Sequence, residues 1–422
     1  MVHLKVHQIK LIVRLGSYNL KCYINYILRA AHSENDINPR PLKTMNSALE
    51  TLFGRLPCIR NWVLVILASA ALFSVACHKT IPLPDAYVVF VVNHGSDSVA
   101  ALNLASAQIL ATIPVAPLPD HAVRRPKSRE IYVVSESGKV SVINFPELSV
   151  VHQFDIGARA QDIVFAPDGA AAYTLEPDKG QIVFIDCAAQ KEIAQAQVAP
   201  GLAHLALTPD GKTLVASQPA ANLLFFVSTA DKKLLGSVQV GKSPGPLVVS
   251  SDGSEVFVAD TGEEKVSVAE IVPRTILAHI EIGSRPSGLA LKPDGGELFV
   301  LSDQGSNMTI LDASHDNVEQ VLPTGQDPAA AAFKGDSSVM YLANAGDGFV
   351  TAFDLTDRSV QSTVHVGVAP RALALTPDER FLAVADSASG NLAILRTAPL
   401  TMVTTVPVGS DPVDVIVPGW KK

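Results

Sequence analysis

Between residues 82 and 417 the chain alternates short apolar runs with clusters of turn residues, and the alternation repeats about every 42 positions. The clearest beat is the residue that ends the third run of each unit: Asn103, Asn144, Asp186, Ser228, Glu270, Asp312, Asp354 and Arg396, spaced by 41 and then by 42 throughout. The runs before it, such as Val140-Ser-Val-Ile, Ile182-Val-Phe-Ile and Met308-Thr-Ile-Leu, are short and rich in β-branched or aromatic residues. Runs of that kind bounded by turn formers predict strands. Asp or Asn at their ends fixes the following turn by bonding the backbone two residues on.

Two further ladders run in step with the first. Pro167-Asp-Gly169, Pro209-Asp-Gly211, Ser251-Asp-Gly253, Pro293-Asp-Gly295 and Pro377-Asp-Glu379 mark a hairpin between the first two strands, with Pro126 at the degenerate equivalent. Pro presets the turn dihedral there and Gly accepts a positive φ. Pro-Asp-Gly lacks the several carboxylates of a calcium loop. Gly-x-x-Pro recurs at Gly241, Gly283, Gly325, Gly367 and Gly409 and links each unit to the next. Four strands per unit of about 42 residues predict β-propeller blades. Gly283 to Thr324 is the most regular unit.

Val91-Val-Asn93, Phe257-Val-Ala-Asp260, Phe299-Val-Leu-Ser302 and Tyr341-Leu-Ala-Asn344, together with the Pro-Asp-Gly turns, resemble YVTN-type β-propeller repeats. The resemblance covers residues 82–417 and implies an all-β propeller of the surface-layer and periplasmic kind. It implies no particular ligand or reaction.

The blade count follows from the ends of the array. Residues 86–115 supply three strands with no innermost strand before them; seven full units follow, from 116 to 408; Pro412 to Val417 is a lone innermost strand. The total of 32 strands predicts eight blades, with seven, common among relatives, as the alternative. The C-terminal strand is expected to complete the first blade, joining the chain ends and leaving no capping repeat.

The front end is of another kind. Residues 1–76 carry +6 and the remainder −14. Arg55 and Arg60 precede an apolar run from Trp62 to Ala76, 15 residues long and ending at Cys77. That is short of the ~20 residues a membrane-spanning helix needs and matches a signal-peptide core. Ser74-Val-Ala-Cys77 resembles a bacterial lipobox, which implies lipidation of Cys77, although Ser74 departs from the usual Leu. We therefore expect a leader at 1–44 that is untranslated or disordered, with Met45 as the start, then a signal peptide at 45–76. A tether at 77–85, the propeller at 86–417 and a tail at 418–422 follow. This predicts export across the inner membrane and a lipid-anchored protein in the periplasm or at the cell surface.

The acidic domain has no basic stripe, which speaks against nucleic acid as a partner. Of the four cysteines only Cys187 stays inside the propeller, so no disulfide framework and no CxxCH haem motif exists. HExxH, P-loop, GxGxxG and GxSxG motifs are absent. Arg124-Arg125 breaks a row of apolar residues and is read as a loop distortion.

Candidate chemistry is confined to one column. Two residues beyond the linker Pro, or at its aligned position, stand Asp414, His121, Asp162, His204, Pro246, Gly288, Ala330 and Ala372 in blade order. Four adjacent blades thus offer Asp-His-Asp-His at the channel end where propellers bind ligands, with Asp120, Gln161 and Arg371 beside them. We expect a ligand site at Asp414, His121, Asp162, His204 and Arg371. Loop-tying polarity is the alternative, and a divalent metal is the lesser reading, since imidazole and carboxylate are common metal ligands. The expected function is a monomeric, lipid-anchored envelope scaffold that binds a protein or glycan and needs no resident cofactor. A lactonase-like hydrolase or lyase at the channel mouth is the alternative.

Overall fold

The computed structural model describes residues 87–157, 162–302 and 305–419. The expected leader, signal peptide, tether, Cys77 and Gln161 lie outside the described residues.

Eight four-stranded antiparallel sheets form the fold. Blade 1 holds β1 (Val88–Asn93), β2 (Ser98–Asn103) and β3 (Gln108–Pro114), and its innermost strand is β32 (Pro412–Ile416) from the other end of the chain. Blade 2 is β4 (Pro119–Arg124) to β7 (Ser149–Asp155), blade 3 is β8 (Ile163–Phe165) to β11 (Lys191–Gln197), and blade 4 is β12 (Leu205–Leu207) to β15 (Lys233–Gln239). Blade 5 is β16 (Pro244–Val249) to β19 (Ile276–Glu281), and blade 6 is β20 (Pro286–Leu291) to β23 (Asn317–Pro323). Blade 7 is β24 (Pro328–Phe333) to β27 (Ser359–His365), and blade 8 is β28 (Pro370–Leu375) to β31 (Leu400–Pro407). The eight-bladed count and the closure by the C-terminal strand are as the repeats predict: Phe90, Val91 and Val92 pair with Ile416, Val415 and Asp414.

The two middle strands of a blade are covered on both faces. In β1 and β2 every residue is buried, whereas the outer strands alternate, as in β7 with exposed Ser149, Val151, Gln153 and Asp155. Strands covered on both faces read as near-continuous apolar runs. The core is accordingly eight slabs, one between each pair of neighbouring blades. Phe90 and Val92 meet Ile131 and Val133 across the blade 1–2 seam, and Val89 and Val91 meet Ala383 and Ile394 across the 8–1 seam. Cys187 is one of the packing residues of the 2–3 seam, with burial pushing its thiol up to about 11.

Each outer strand is bulged against its neighbour at the same place, for example between Ala101 and Leu102 and between Ile394 and Leu395. An edge bulge bends the strand and discourages pairing with another chain.

The second strand of each blade ends in a buried polar residue: Asn93, Ser135, Glu176, Gln218, Asp260, Ser302, Asn344 and Asp386. This ring explains the linker glycines. A Cβ on Gly241 would lie 2.3 Å from Asp260 Oδ2, one on Gly325 2.7 Å from Asn344 Cγ, and one on Gly367 2.4 Å from Asp386 Oδ2. Gly283, in the blade that carries the small Ser302 at this place, has nothing within 4 Å of its Cβ position; its φ of +72° favours glycine instead.

A second repeated device joins the linkers to the sheets. The residue before the linker Pro adopts a left-handed conformation at Leu118, Ser243, Asp327, Ala369 and Asp411, with φ between 50° and 56°. Its carbonyl accepts the N–H of the residue just past the second strand: Glu136, Thr261, Ala345, Ser387 and His94 respectively, at 2.8–3.1 Å.

One sequence expectation is corrected. Arg124-Arg125 is no loop distortion, since Arg124 is a regular residue of β4 opposite Ile131. Its Nη1 donates to the Pro418 carbonyl and so ties the end of the chain to blade 2. Arg125 pairs with Glu130 at 2.7 Å and donates to the carbonyls of Gly169 and Cys187, bridging blades 2 and 3.

Candidate functional site

The innermost strands place the column of candidate residues. In blades 1, 2, 6, 7 and 8 the strand carries a bulge right after its Pro, so the next residue is extra and the one after it resumes pairing: His121 opposite Val134, Asp414 opposite Val92, Gly288 opposite Leu301. Bulges re-aim side chains in this way beside functional sites. Blades 3 and 4 lack the linker Pro, and their innermost strands shorten to three residues, leaving Asp162 and His204 just ahead of β8 and β12.

Asp414 and His121 meet across the seam between blades 1 and 2. Asp414 Oδ2 lies 2.8 Å from His121 Nδ1 and also accepts the Ala122 N–H at 3.0 Å; Oδ1 accepts the Val415 N–H at 2.8 Å. Two blades further round the arrangement recurs. Asp162 Oδ2 lies 3.4 Å from His204 Nδ1 and accepts the Leu205 N–H at 3.1 Å. In both pairs the carboxylate of one blade holds the imidazole and the following N–H of the next blade. Both side chains are partly exposed, 41 % and 37 %, and among the described residues neither Nε2 has a hydrogen-bond partner. The structure thus brings the four residues together as two pairs.

The blade 1–2 pair is electrostatically committed. Although water reaches its ring, His121 is surrounded by protein, and that burial alone would lower its pKa. The hydrogen bond and charge of Asp414, with Asp162 and Asp120 behind them, outweigh it and push the imidazole up to about 9. For Asp414 burial opposes ionisation, but the His121 hydrogen bond and charge and the Ala122 and Val415 N–H groups hold the carboxyl below its ordinary range. The pair is therefore an imidazolium–carboxylate at neutral pH.

Arg371 is not brought into this arrangement. It is the extra residue at the β28 bulge, exposed, on the blade next to Asp414. Asp120 is the extra residue at the β4 bulge, and its carboxylate lies within 4.8 Å of the ligand-capable atoms of His94 and Glu136. Burial raises the Asp120 pKa, Glu136 and Asp414 add to the effect, and His121 and His94 oppose it. The ligand-capable atoms of His94, Asp120 and Glu136 all lie within 4.8 Å of one another. His94 and Glu136 escaped the sequence reading because they sit outside the inspected column, one residue past the second strands of blades 1 and 2. Reading that column at the 42-residue period gives His94, Glu136, Pro177, Pro219, Thr261, Asp303, Ala345 and Ser387, a signal that would have found them.

The protein is a closed ring of eight four-stranded antiparallel blades in which the paired Asp and His residues of the innermost-strand column lie on blades 1 to 4. Residues 74–311, more than half of the chain, match the family described as "Lactonase, 7-bladed beta-propeller". The chain belongs to that family and builds eight blades where the family description has seven. Residues 293–417 match "Cytochrome D1 heme domain". No curated protein matches the chain. Among solved structures it is similar to the dihydro-heme d1 dehydrogenase NirN in complex with DHE, at 15% identity and a TM-score of 0.71, covering 81% of this chain and 77% of that one. It is also similar to AztD from Citrobacter koseri, at 14% identity and a TM-score of 0.61, covering 78% of this chain and 96% of that one. Kuenenia stuttgartiensis hydrazine synthase is similar at 20% identity and a TM-score of 0.54, covering 66% and 96%. At such identities the likeness is one of fold.

Proposed function

We propose that the protein is a binding module of the cell envelope, held to a membrane surface by lipid on Cys77, whose ring presents the blade 1–4 sector to a protein or glycan partner. The observation that carries the reading is the repeated Asp–His pairing. In each pair one carboxylate oxygen lies against the imidazole Nδ1 of the neighbouring blade, at 2.8 Å for His121 and 3.4 Å for His204, and accepts the backbone N–H that follows it, which orients the ring across the seam. Preorganised polar groups on rigid elements favour binding because little ordering is paid on association. The lipid tether is supported by the signal-like run and lipobox-like Ser74-Val-Ala-Cys77. Fatty-acid labelling of cells, compared with Cys77→Ser, tests it; equal labelling of the two excludes it.

The partner is tested by affinity capture from crosslinked envelopes, with His121→Gln/His204→Gln as the comparison. Wild type enriches one partner and the double variant, folded to the same melting temperature, does not. Equal enrichment by both overturns the reading.

A second reading, a channel-mouth hydrolase, is favoured by the carboxylate-held imidazole at 2.8 Å and by the family match. A carboxylate on Nδ1 leaves Nε2 to work on a substrate, as in hydrolytic triads. Cationic His121 would act as an acid or electrostatic stabiliser rather than as a base. Turnover of a lactone panel, lost in His121→Gln, would favour it over the binding module. The names of two matches speak of haem, so haem titration followed in the Soret region is a useful third arm.

A further inference from the structure

We propose that His94, Asp120 and Glu136 form a site for one first-row divalent transition-metal ion, such as zinc or manganese, where blades 1 and 2 meet. Three independent features of the fold converge on it.

The first is repeat symmetry. His94 and Glu136 occupy the same position of adjacent blades, immediately after the buried polar ends of β1 and β5, Asn93 and Ser135. Each is held by the same linker contact: the His94 N–H donates to the Asp411 carbonyl at 2.9 Å and the Glu136 N–H to the Leu118 carbonyl at 2.9 Å. Their backbones are thus fixed relative to the ring rather than carried on free loops.

The second is the β4 bulge. It inserts Asp120 as an unpaired residue between Pro119 and His121 and so frees its side chain from the alternation that aims His121 at Asp414. The Asp120 carboxylate then lies within 4.8 Å of the ligand-capable atoms of both His94 and Glu136.

The third is the tautomer of His94. Its Nδ1 lies 3.1 Å from the Pro119 carbonyl, an oxygen that can only accept, so Nδ1 carries the hydrogen and Nε2 is left as the lone-pair donor. A metal-ligating His ordinarily donates its other N–H to a carbonyl or carboxylate in this way.

The donor set is also unspent. Among the described residues, neither the Asp120 nor the Glu136 carboxylate has a hydrogen-bond or ion-pair partner, in contrast to Asp414 and Asp162. An imidazole with two carboxylates suits first-row ions and offsets a double charge; the imidazole disfavours calcium and magnesium, which take all-oxygen sets. Donors around such an ion stand roughly 3–3.5 Å apart, so modest side-chain rotations from the present 4.8 Å limit would close the site. Water would complete the coordination.

The inference stands apart from the partner reading. The test is titration of the untagged full chain, first stripped with EDTA, with zinc and with manganese against a chromophoric chelator. One equivalent of one of these ions binds. Glu136→Gln and His94→Gln each weaken it by at least about tenfold, while His315→Gln, an exposed histidine of blade 6, leaves it unchanged. Melting in EDTA checks that the variants are folded, and Glu136→Gln, on a surface turn, is the safer of the two. Substoichiometric binding of both metals by wild type overturns the proposal. So does wild-type affinity in folded Glu136→Gln, or a loss seen in His204→Gln instead.

Discussion

Asp386 ends β29 with no exposure to solvent, and neither carboxyl oxygen has a hydrogen-bond partner. Blade 5 buries a carboxyl at the same place: Asp260 Oδ2 accepts from Ser267 at 2.7 Å, yet its Oδ1 has no partner and burial pushes it up to about 7 as well; the residue aligned with Ser267 in blade 8 is Ala393. Burial alone pushes the Asp386 carboxyl up to about 7. An unfolded Asp titrates near ~3.9, so the folded state holds this proton more tightly. The contribution to stability is complete below the unfolded pKa, is lost as pH rises through about 7, and is flat above that. A shift of roughly three units at 1.36 kcal/mol each makes the loss about 4 kcal/mol. Asp386→Asn copies the amide that blades 1 and 7 carry at Asn93 and Asn344, and it removes the titration. Guanidinium unfolding at pH 4.5, 6 and 8 should therefore show the variant gaining on wild type as pH rises, by about 3–4 kcal/mol across the range. Parallel pH profiles for the two proteins would refute the reasoning, because they would mean the buried carboxyl is not protonated in the folded state.

Three other outcomes follow from the same geometry. Gly367→Ala drives a Cβ against Asp386 and should cost about 1–3 kcal/mol, largely restored in Gly367→Ala/Asp386→Ser, the residue blade 6 uses at Ser302; an additive double variant contradicts the clash. Deleting Asp411 to Lys422 removes β32 and opens both seams of blade 1, so the melting temperature should collapse; unchanged unfolding contradicts the closure. A double-mutant cycle on His121→Gln and Asp414→Asn should give a coupling of about 1–3 kcal/mol, and a value near zero would mean that the 2.8 Å pair does not join the blades.

The fold was legible because a propeller repeats its local signals in register. The Pro-Asp-Gly hairpins, the strand-ending Asp and Asn residues and the linker glycines each recur at one period, and the leftover strand at Pro412 gave both the blade count and the closure. The axis column was legible for the same reason, and four of its residues do face one another in pairs. What the pattern hid is what depends on exceptions. The shift between Pro119 and His121 that frees Asp120 follows the linker Pro in five blades, but which residue it leaves unpaired shows only once the strand pairing is seen. Arg124 looks misplaced until its partner, the Pro418 carbonyl, is seen to come from the opposite end of the chain. Arg371 matched the polarity of the column but stands one position off it, on a separate blade.

The central claim is that the working surface lies where the repeat departs from itself, in blades 1 to 4, and that the regular blades are scaffold. It is tested most directly by placing a photo-crosslinking residue in living cells at Leu118 or at Arg285. Both are exposed, both precede the linker Pro, and they belong to blades 2 and 6 on opposite sides of the ring. The account predicts a discrete adduct from position 118 and none from 285. Adducts from 285 alone, or from both alike, would contradict it.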